Sequence, residues 1–439
     1  MFELQDYLDV VPLPVLVLAP VLAGMAFMFC PSRIRLPIAL TILPPFLLVG
    51  RLPMLGPPAL AAKALGFAML LAVAAAAIAS PGRKRKLPPI AYGYLPLALV
   101  GPVFLVTAED NTFPLLLSVQ WICMVLATLA VTRTIVDRDS LMLVLVSLAT
   151  GFTLSMPIML SALVTGNWTF TGHSRFEPYG ASSLQVGIIF TIAAGLGLYL
   201  ALRGRFWPLR LIWLGTAAVS AGLGLLSGTR SVMITMVGVC APLGFYMIRR
   251  PVLAIPMIAM MLVGVAVIIS RVDANPFHRY QTVETARGEQ AVTYIRESIS
   301  QRPMTGLLGT SGLRAESDED LGYHAHNAYL KMAYTGGIVL LAPYLVLAFV
   351  SCLAAFLVWK NRALFDVDPL LMSVLFAFLL MVYAHGMVNH MIYLATNSWA
   401  FMHLLLSMLF MSWAGEMLRF KRDNPAMATM LLSQPRLAT

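Results

Sequence analysis

The stretch Leu321-Gly322-Tyr323-His324-Ala325-His326-Asn327-Ala328-Tyr329-Leu330 is a polar island, and the apolar run that follows it, 336–358, is long enough to cross a bilayer. A membrane helix needs about 20 apolar residues, because hydrocarbon roughly 30 Å thick is crossed at 1.5 Å per residue. The island therefore stands where a span meets water. Two histidines and an amide there put titratable and hydrogen-bonding groups at the membrane surface, although histidines at helix ends also serve as plain caps.

Outward from this point, the rest of the chain repeats the pattern of 336–358. Hydrophobic residues make up 59% and charged residues 11% of the 439 positions, and the mean hydropathy is +0.82. A soluble domain carries about a quarter charged residues, so this composition reads as a polytopic membrane protein. Apolar runs fall near 12–30, 36–50, 59–80, 89–107, 114–132, 141–165, 184–202, 209–226, 232–248, 251–270, 336–358, 369–388 and 396–414. The expected fold is an all-α helical bundle of transmembrane helices, 13 if every run spans and 12 if the short second run with its Pro44-Pro45 does not. Prolines within spans mark kinks, because neighbouring groups satisfy the freed carbonyl. Gly195-Leu196-Gly197 and Gly222-Leu223-Gly224 suit close helix approach.

The net charge of +10 does not point to nucleic acid, because the basic residues sit in small clusters between apolar runs. Arg33 and Arg35, Arg83 to Lys86, Arg133 and Arg138, Arg203 to Arg210, Arg249 and Arg250, Lys360 and Arg362, and Arg419 to Arg422 mark the connections expected in the cytoplasm. The loops 51–58, 108–113, 166–183, 227–231, 271–335 and 389–395 are then external, and the carboxyl terminus is inside. Met1 to Val10 carries Glu3, Asp6 and Asp9 and no basic residue, so it lacks the charged start of a signal peptide and the first run is expected to be retained. Cys30, Cys123, Cys240 and Cys352 lie in apolar stretches and read as small buried hydrophobes. The chain divides into amino-terminal helices over 1–140, helices with external arginine loops over 141–270, a long external loop over 271–335, and carboxy-terminal helices with a tail over 336–439. The long loop is expected to carry function. Within it, Val292, Ile295 and Ile299 recur at helical spacing, as on a short amphipathic helix lying on the membrane.

Candidate chemistry gathers in three external stretches. These are Gly172-His173-Ser174-Arg175-Phe176-Glu177-Pro178, the turn Ser227-Gly228-Thr229-Arg230-Ser231, and the long loop with Arg271, Arg279, Arg287, Arg296, Arg302 and Arg314. Up to residue 330 they use arginine and no lysine. The planar guanidinium binds phosphate oxygens bidentately and stays charged when partly desolvated, which suits a lipid-linked diphosphate. Snorkelling for Arg230 and a local ion pair with Glu177 for Arg175 are the structural alternatives. The acidic run Glu316-Ser317-Asp318-Glu319-Asp320 contains an Asp-x-Asp spacing that holds metal in many sugar transferases, but such a run is more often a solvated face. His324 and His326 lack a third ligand at a recognisable spacing, so no metal and no cofactor is expected. His385 and His390 stand near another outer helix end, where they either share the cavity or cap it.

The order of these features resembles the O-antigen ligase and polymerase superfamily of bacterial inner-membrane glycosyltransferases, most closely the ligases. It is carried by the external arginine loop, the Ser-Gly-Thr-Arg-Ser turn opening a span, Arg302-Pro303-Met304-Thr305-Gly306-Leu307-Leu308-Gly309, His324-x-His326-Asn327-x-Tyr329-Leu330 and Gly336-Gly337, over about residues 170–345. The resemblance implies a multi-pass protein of the Gram-negative inner membrane with its active site on the periplasmic side. It implies transfer of a polysaccharide from undecaprenyl diphosphate to a sugar hydroxyl of the lipid A-core, without nucleic acid, among membrane lipids. It further implies His326 as base, Arg175 and Arg230 as diphosphate ligands and Arg287 as a further contact, and beside these His324, Asn327, Tyr329 and Arg296 are the expected substrate contacts. Asn327 and Tyr329 also read as cap and anchor of the following helix. Polymerases and protein O-oligosaccharyltransferases share the donor and differ in acceptor. A transporter or flippase is the alternative from another class, but such proteins place binding groups near the bilayer midplane.

Overall fold

The computed structural model describes residues 29–105, 112–171, 175–250, 303–306, 327–388 and 397–427, with isolated positions between 255 and 300. It is a helical bundle. In chain order its helices are α1 (Ser32–Val49), α2 (Pro57–Ala64), α3 (Gly66–Ala79), α4 (Tyr94–Leu105), α5 (Thr112–Thr134), α6 (Arg138–Thr165), α7 (Ser183–Arg203), α8 (Trp207–Leu226), α9 (Arg230–Ile248), α10 (Ala328–Lys360), α11 (Pro369–Gly386) and α12 (Ser398–Asp423). Eight helices among the described residues are long and apolar enough to cross a membrane, or nine when α2 and α3, bent by 49°, form one span. The chain is therefore a polytopic membrane protein. The runs expected at 12–30 and 251–270 fall outside the described residues, apart from a few isolated positions.

Each remaining apolar run coincides with a helix, for reasons visible in the packing. Pro44 and Pro45 sit inside α1, and Gly151 of α6 lies directly against Pro44 and the Thr41 carbonyl, so a residue without a side chain lets the two helices approach there. Thr41 Oγ1 donates to the Ser147 carbonyl at 3.2 Å across the same interface. The α7 helix runs through the middle of the bundle, with 94% of its apolar window buried. Gly197 brings it against the Trp213 carbonyl and Ala217 of α8, while Gly195 faces Val239 of α9 and Phe378 of α11. Small residues bring backbones close where lipid gives no hydrophobic drive for helix association.

Among the described residues, the structure departs from the all-α expectation at one place. Trp168–Thr171 and Arg175–Pro178 form an antiparallel hairpin, β1 and β2, with Phe170 opposite Phe176 and Thr171 opposite Arg175. Alternating aromatic and β-branched residues favour strands, and the segment is too short to span. A second departure concerns the cysteines. All four are free, but only Cys123 is buried, whereas Cys30, Cys240 and Cys352 are partly exposed. Cys30 precedes α1, and its carbonyl accepts from Arg35 Nε at 2.7 Å.

The two ends of the bundle differ in character. At one end the basic clusters interlock. Arg85 bonds Glu416 at 3.0 Å and the Val136 carbonyl at 3.2 Å, Arg203 pairs with Asp368 at 2.8 Å, and Lys421 donates to Asn361 at 2.7 Å. Burial lowers the Arg85 pKa from its ordinary value, while Glu416 and Asp137 act in the opposite sense. The opposite end carries the described parts of the loops read as external, among them 51–58, 175–183, 227–231 and 303–306.

Candidate functional site

At that opposite end, α10 begins eight residues before the expected boundary at 336. Asn327 is its N-cap: the side-chain oxygen accepts from the backbone N–H groups of Tyr329 at 2.9 Å and Leu330 at 3.1 Å. An asparagine in extended backbone is among the best residues for satisfying the orphan donors of a first turn. The helix then breaks at Gly337, which has φ 58° and ψ −156°. Ala328–Gly336 thus forms a short separate segment, and a spanning segment follows it.

The break is filled from the long loop. The turn Pro303–Gly306 docks against it, so that Ile338 N–H donates to the Pro303 carbonyl at 2.9 Å and Val339 N–H to the Met304 carbonyl at 3.2 Å. Two donors orphaned by the broken helix are satisfied in this way. No side chain fits between the pieces: a Cβ on Gly337 would meet the Met304 carbonyl, and one on Gly306 would meet the Tyr334 carbonyl. Both glycines have positive φ, 56° at Gly306 and 58° at Gly337, which only glycine adopts without cost. Two motifs about thirty residues apart in sequence are therefore one structural unit.

Tyr329 anchors the short segment laterally. Its hydroxyl donates to the Tyr383 carbonyl of α11 at 2.9 Å, and its ring lies 6.2 Å from that of Tyr344. Beneath it is a buried polar cluster. The Tyr383 hydroxyl meets Ser407 at 3.1 Å, the Tyr94 hydroxyl meets Ser351 at 3.3 Å, and His403 packs edge-on to Tyr383 at 5.0 Å. His403 is fully buried within the α12 span. Sequence reading did not single it out, although a histidine inside an apolar run is itself a signal.

Arg230 opens α9, half-buried, with its Nε enclosed. One turn further on, Thr235 Oγ1 lies 2.9 Å from Nδ1 of His385, which is buried against Trp399 near the end of α11. His385 is thus a packed helix-end residue tying α11 to α9. Arg175 stands at the start of β2, whose neighbours are α6, α7 and α8. The hairpin is pinned by Tyr179, a non-glycine residue at φ 51°. Its N–H donates to the Asn167 carbonyl at 2.7 Å, its carbonyl accepts from Met54 at 3.0 Å, and its hydroxyl meets Ser161 at 2.8 Å. Left-handed backbone at a residue with a side chain costs about 1–3 kcal/mol and persists only where surroundings hold it.

The structure therefore gathers the arginine hairpin, the Arg230 turn, the Asn327 cap and the docked 303–306 turn at one end of the bundle. The Arg175 side chain, Arg287, Arg296, the acidic run 316–320, His324, His326 and His390 lie outside the described residues. Lys331, the first lysine of the long external stretch, lies on α10 over the Tyr334 ring at 5.9 Å. Among the described residues, no three His, Cys, Asp or Glu side chains converge as a metal site. No protein-family model matches the chain, and no curated protein matches its sequence.

Proposed function

We propose that the protein is a membrane glycosyltransferase of the O-antigen ligase type. It moves a glycan from undecaprenyl diphosphate to a sugar hydroxyl of the lipid A-core at the periplasmic face of the Gram-negative inner membrane, in a bundle of twelve spans. One observation carries most weight. The 303–306 turn and the Gly336-Gly337 break, two parts of the motif set, dock into one unit that fixes the helix capped by Asn327, the residue after His326.

In this reading His326 takes the proton of the acceptor hydroxyl, the oxygen attacks the anomeric carbon, and the bond from that carbon to the diphosphate breaks with inversion. Arg175 and Arg230 neutralise the charge that develops on the departing diphosphate. Fixed cations do this best in a site of low dielectric, and arginine stays charged there. Asn327 and Tyr329 act through the helix they hold, the first as cap and the second as anchor. His324, Arg287 and Arg296 line the substrate path.

Deleting the gene and separating lipid-linked intermediates tests the assignment. Full-length polymer accumulating on undecaprenyl diphosphate supports ligation. Single repeat units on the outer leaflet would assign polymerisation instead, and units confined to the inner leaflet would assign transport.

A further inference from the structure

At the arginine-rich end, α9 and α11 part to form a cleft of about 1260 Å3, far from the end that holds the candidate site. The helices touch where Gly238 meets the Met381 side chain, and the cleft lies on the basic side of that contact. The floor of the cleft is apolar, formed by Ala241, Pro242, Phe245, Phe376, Ala377 and Leu380. Phe245 is 70% and Leu380 40% exposed there.

The mouth is cationic. Arg203 faces it but is matched by Asp368 at 2.8 Å. That leaves Arg138, Arg249 and Arg362 against Asp366 among the remaining charged lining residues, three positive charges to one negative. Trp359 and Tyr246 frame the mouth. The Trp359 ring stacks on Phe376 at 5.4 Å and carries Arg362 at 5.1 Å, and Tyr246 carries Arg203 at 4.9 Å. Tryptophan and tyrosine beside arginines are the residues of the membrane–water boundary, so the mouth lies at head-group depth and the floor at acyl-chain depth.

We infer that this cleft is a binding site for one anionic diacyl phospholipid, its phosphate held by Arg138, Arg249 and Arg362 and its chains lying along α9 and α11. A soluble anion would leave the apolar floor uncovered, and a zwitterionic lipid would leave the charge unmet. Basic pockets between helices at this face of a membrane suit such head groups. The inference depends on membrane embedding alone and stands apart from the transfer reaction.

The test uses the full chain in mild detergent. It is challenged separately with phosphatidylglycerol, with phosphatidylcholine of the same acyl chains, and with inorganic phosphate, and read by native mass spectrometry and by unfolding temperature. One phosphatidylglycerol should be retained and should raise the unfolding temperature, while the other two probes do neither. Arg249→Gln with Arg362→Gln should weaken retention by about ten-fold or more, the order expected for two charges near an anionic head group. Ala241→Trp should weaken it with every charge in place, and Arg33→Gln should leave it unchanged. Equal retention of the two lipids, a response to phosphate alone, or phosphatidylglycerol retention that survives both cleft variants would overturn the site.

Discussion

His326 directly precedes the cap of α10, so the imidazole assigned as base is tied in sequence to a helix whose start and lateral position are fixed by Asn327 and Tyr329. His326→Ala should lower turnover by roughly a hundred- to ten-thousand-fold, the usual loss for a general base. Protein level and donor binding should be unchanged. The base works as the neutral imidazole, so wild-type activity should fall on the acid side as the ring protonates, and the alanine variant should lose that limb. Near-normal turnover in well-folded His326→Ala would move the base to His324. His385 is the weaker substitute, because its Nδ1 is already engaged by Thr235 at 2.9 Å. For the arginines, Arg230→Lys and Arg175→Lys should each reduce transfer, since a point charge replaces a bidentate fork, while chelator leaves the wild type active. Loss of activity in chelator with rescue by magnesium or manganese would assign the diphosphate to Asp318 and Asp320.

At the scale of elements, the docked turn and the broken helix make the sharpest prediction. Gly337→Ala places a methyl group against the Met304 carbonyl at a residue with φ 58°. Forcing a side chain into that conformation costs about 1–3 kcal/mol. The expected result is a lower unfolding temperature together with loss of transfer, because the turn no longer seats. Unchanged transfer in the variant would separate the docked unit from the reaction. At the other end of the molecule, α6 begins with a capping box, in which Asp137 and Ser140 exchange bonds at 2.8 and 3.0 Å. The Ser140 hydroxyl and then its backbone N–H hold the Asp137 carboxyl below its ordinary value. A depressed carboxylate stabilises the fold above its unfolded pKa and loses that contribution as pH falls through the folded one. Asp137→Ala should therefore cost about 0.5–2 kcal/mol near neutral pH. The gap from wild type should close below about pH 4. A gap that stayed constant well below that pH would show that the carboxylate charge has no part in it.

Over the whole molecule, the interlocked clusters around Arg85, Arg203 and Lys421 define one face and the hairpin, turn and cap define the other. If the basic face is cytoplasmic, a cysteine replacing exposed Asn167 in a cysteine-free background should react with a membrane-impermeant thiol reagent in intact spheroplasts. One replacing exposed Arg205 should react only after permeabilisation. The reverse labelling would end the assignment of the site to the periplasm.

The membrane class, the position of most helices and the grouping of basic connections were legible in the sequence, because apolar length and arginine placement act locally along the chain. Asn327 was legible as a cap for the same reason: its amide bonds residues two and three positions on. The hairpin at 168–178 escaped because a short run with alternating aromatic residues lacks the length by which spans are recognised. Only the tertiary structure decided that Gly306 and Gly337 face one another, since each reads alone as an ordinary turn or flexible helix glycine until the other's backbone arrives. It also decided which cations are matched. Arg203 and Asp368 are 165 positions apart, and whether such a charge is paired or faces an open cleft depends on which helices become neighbours.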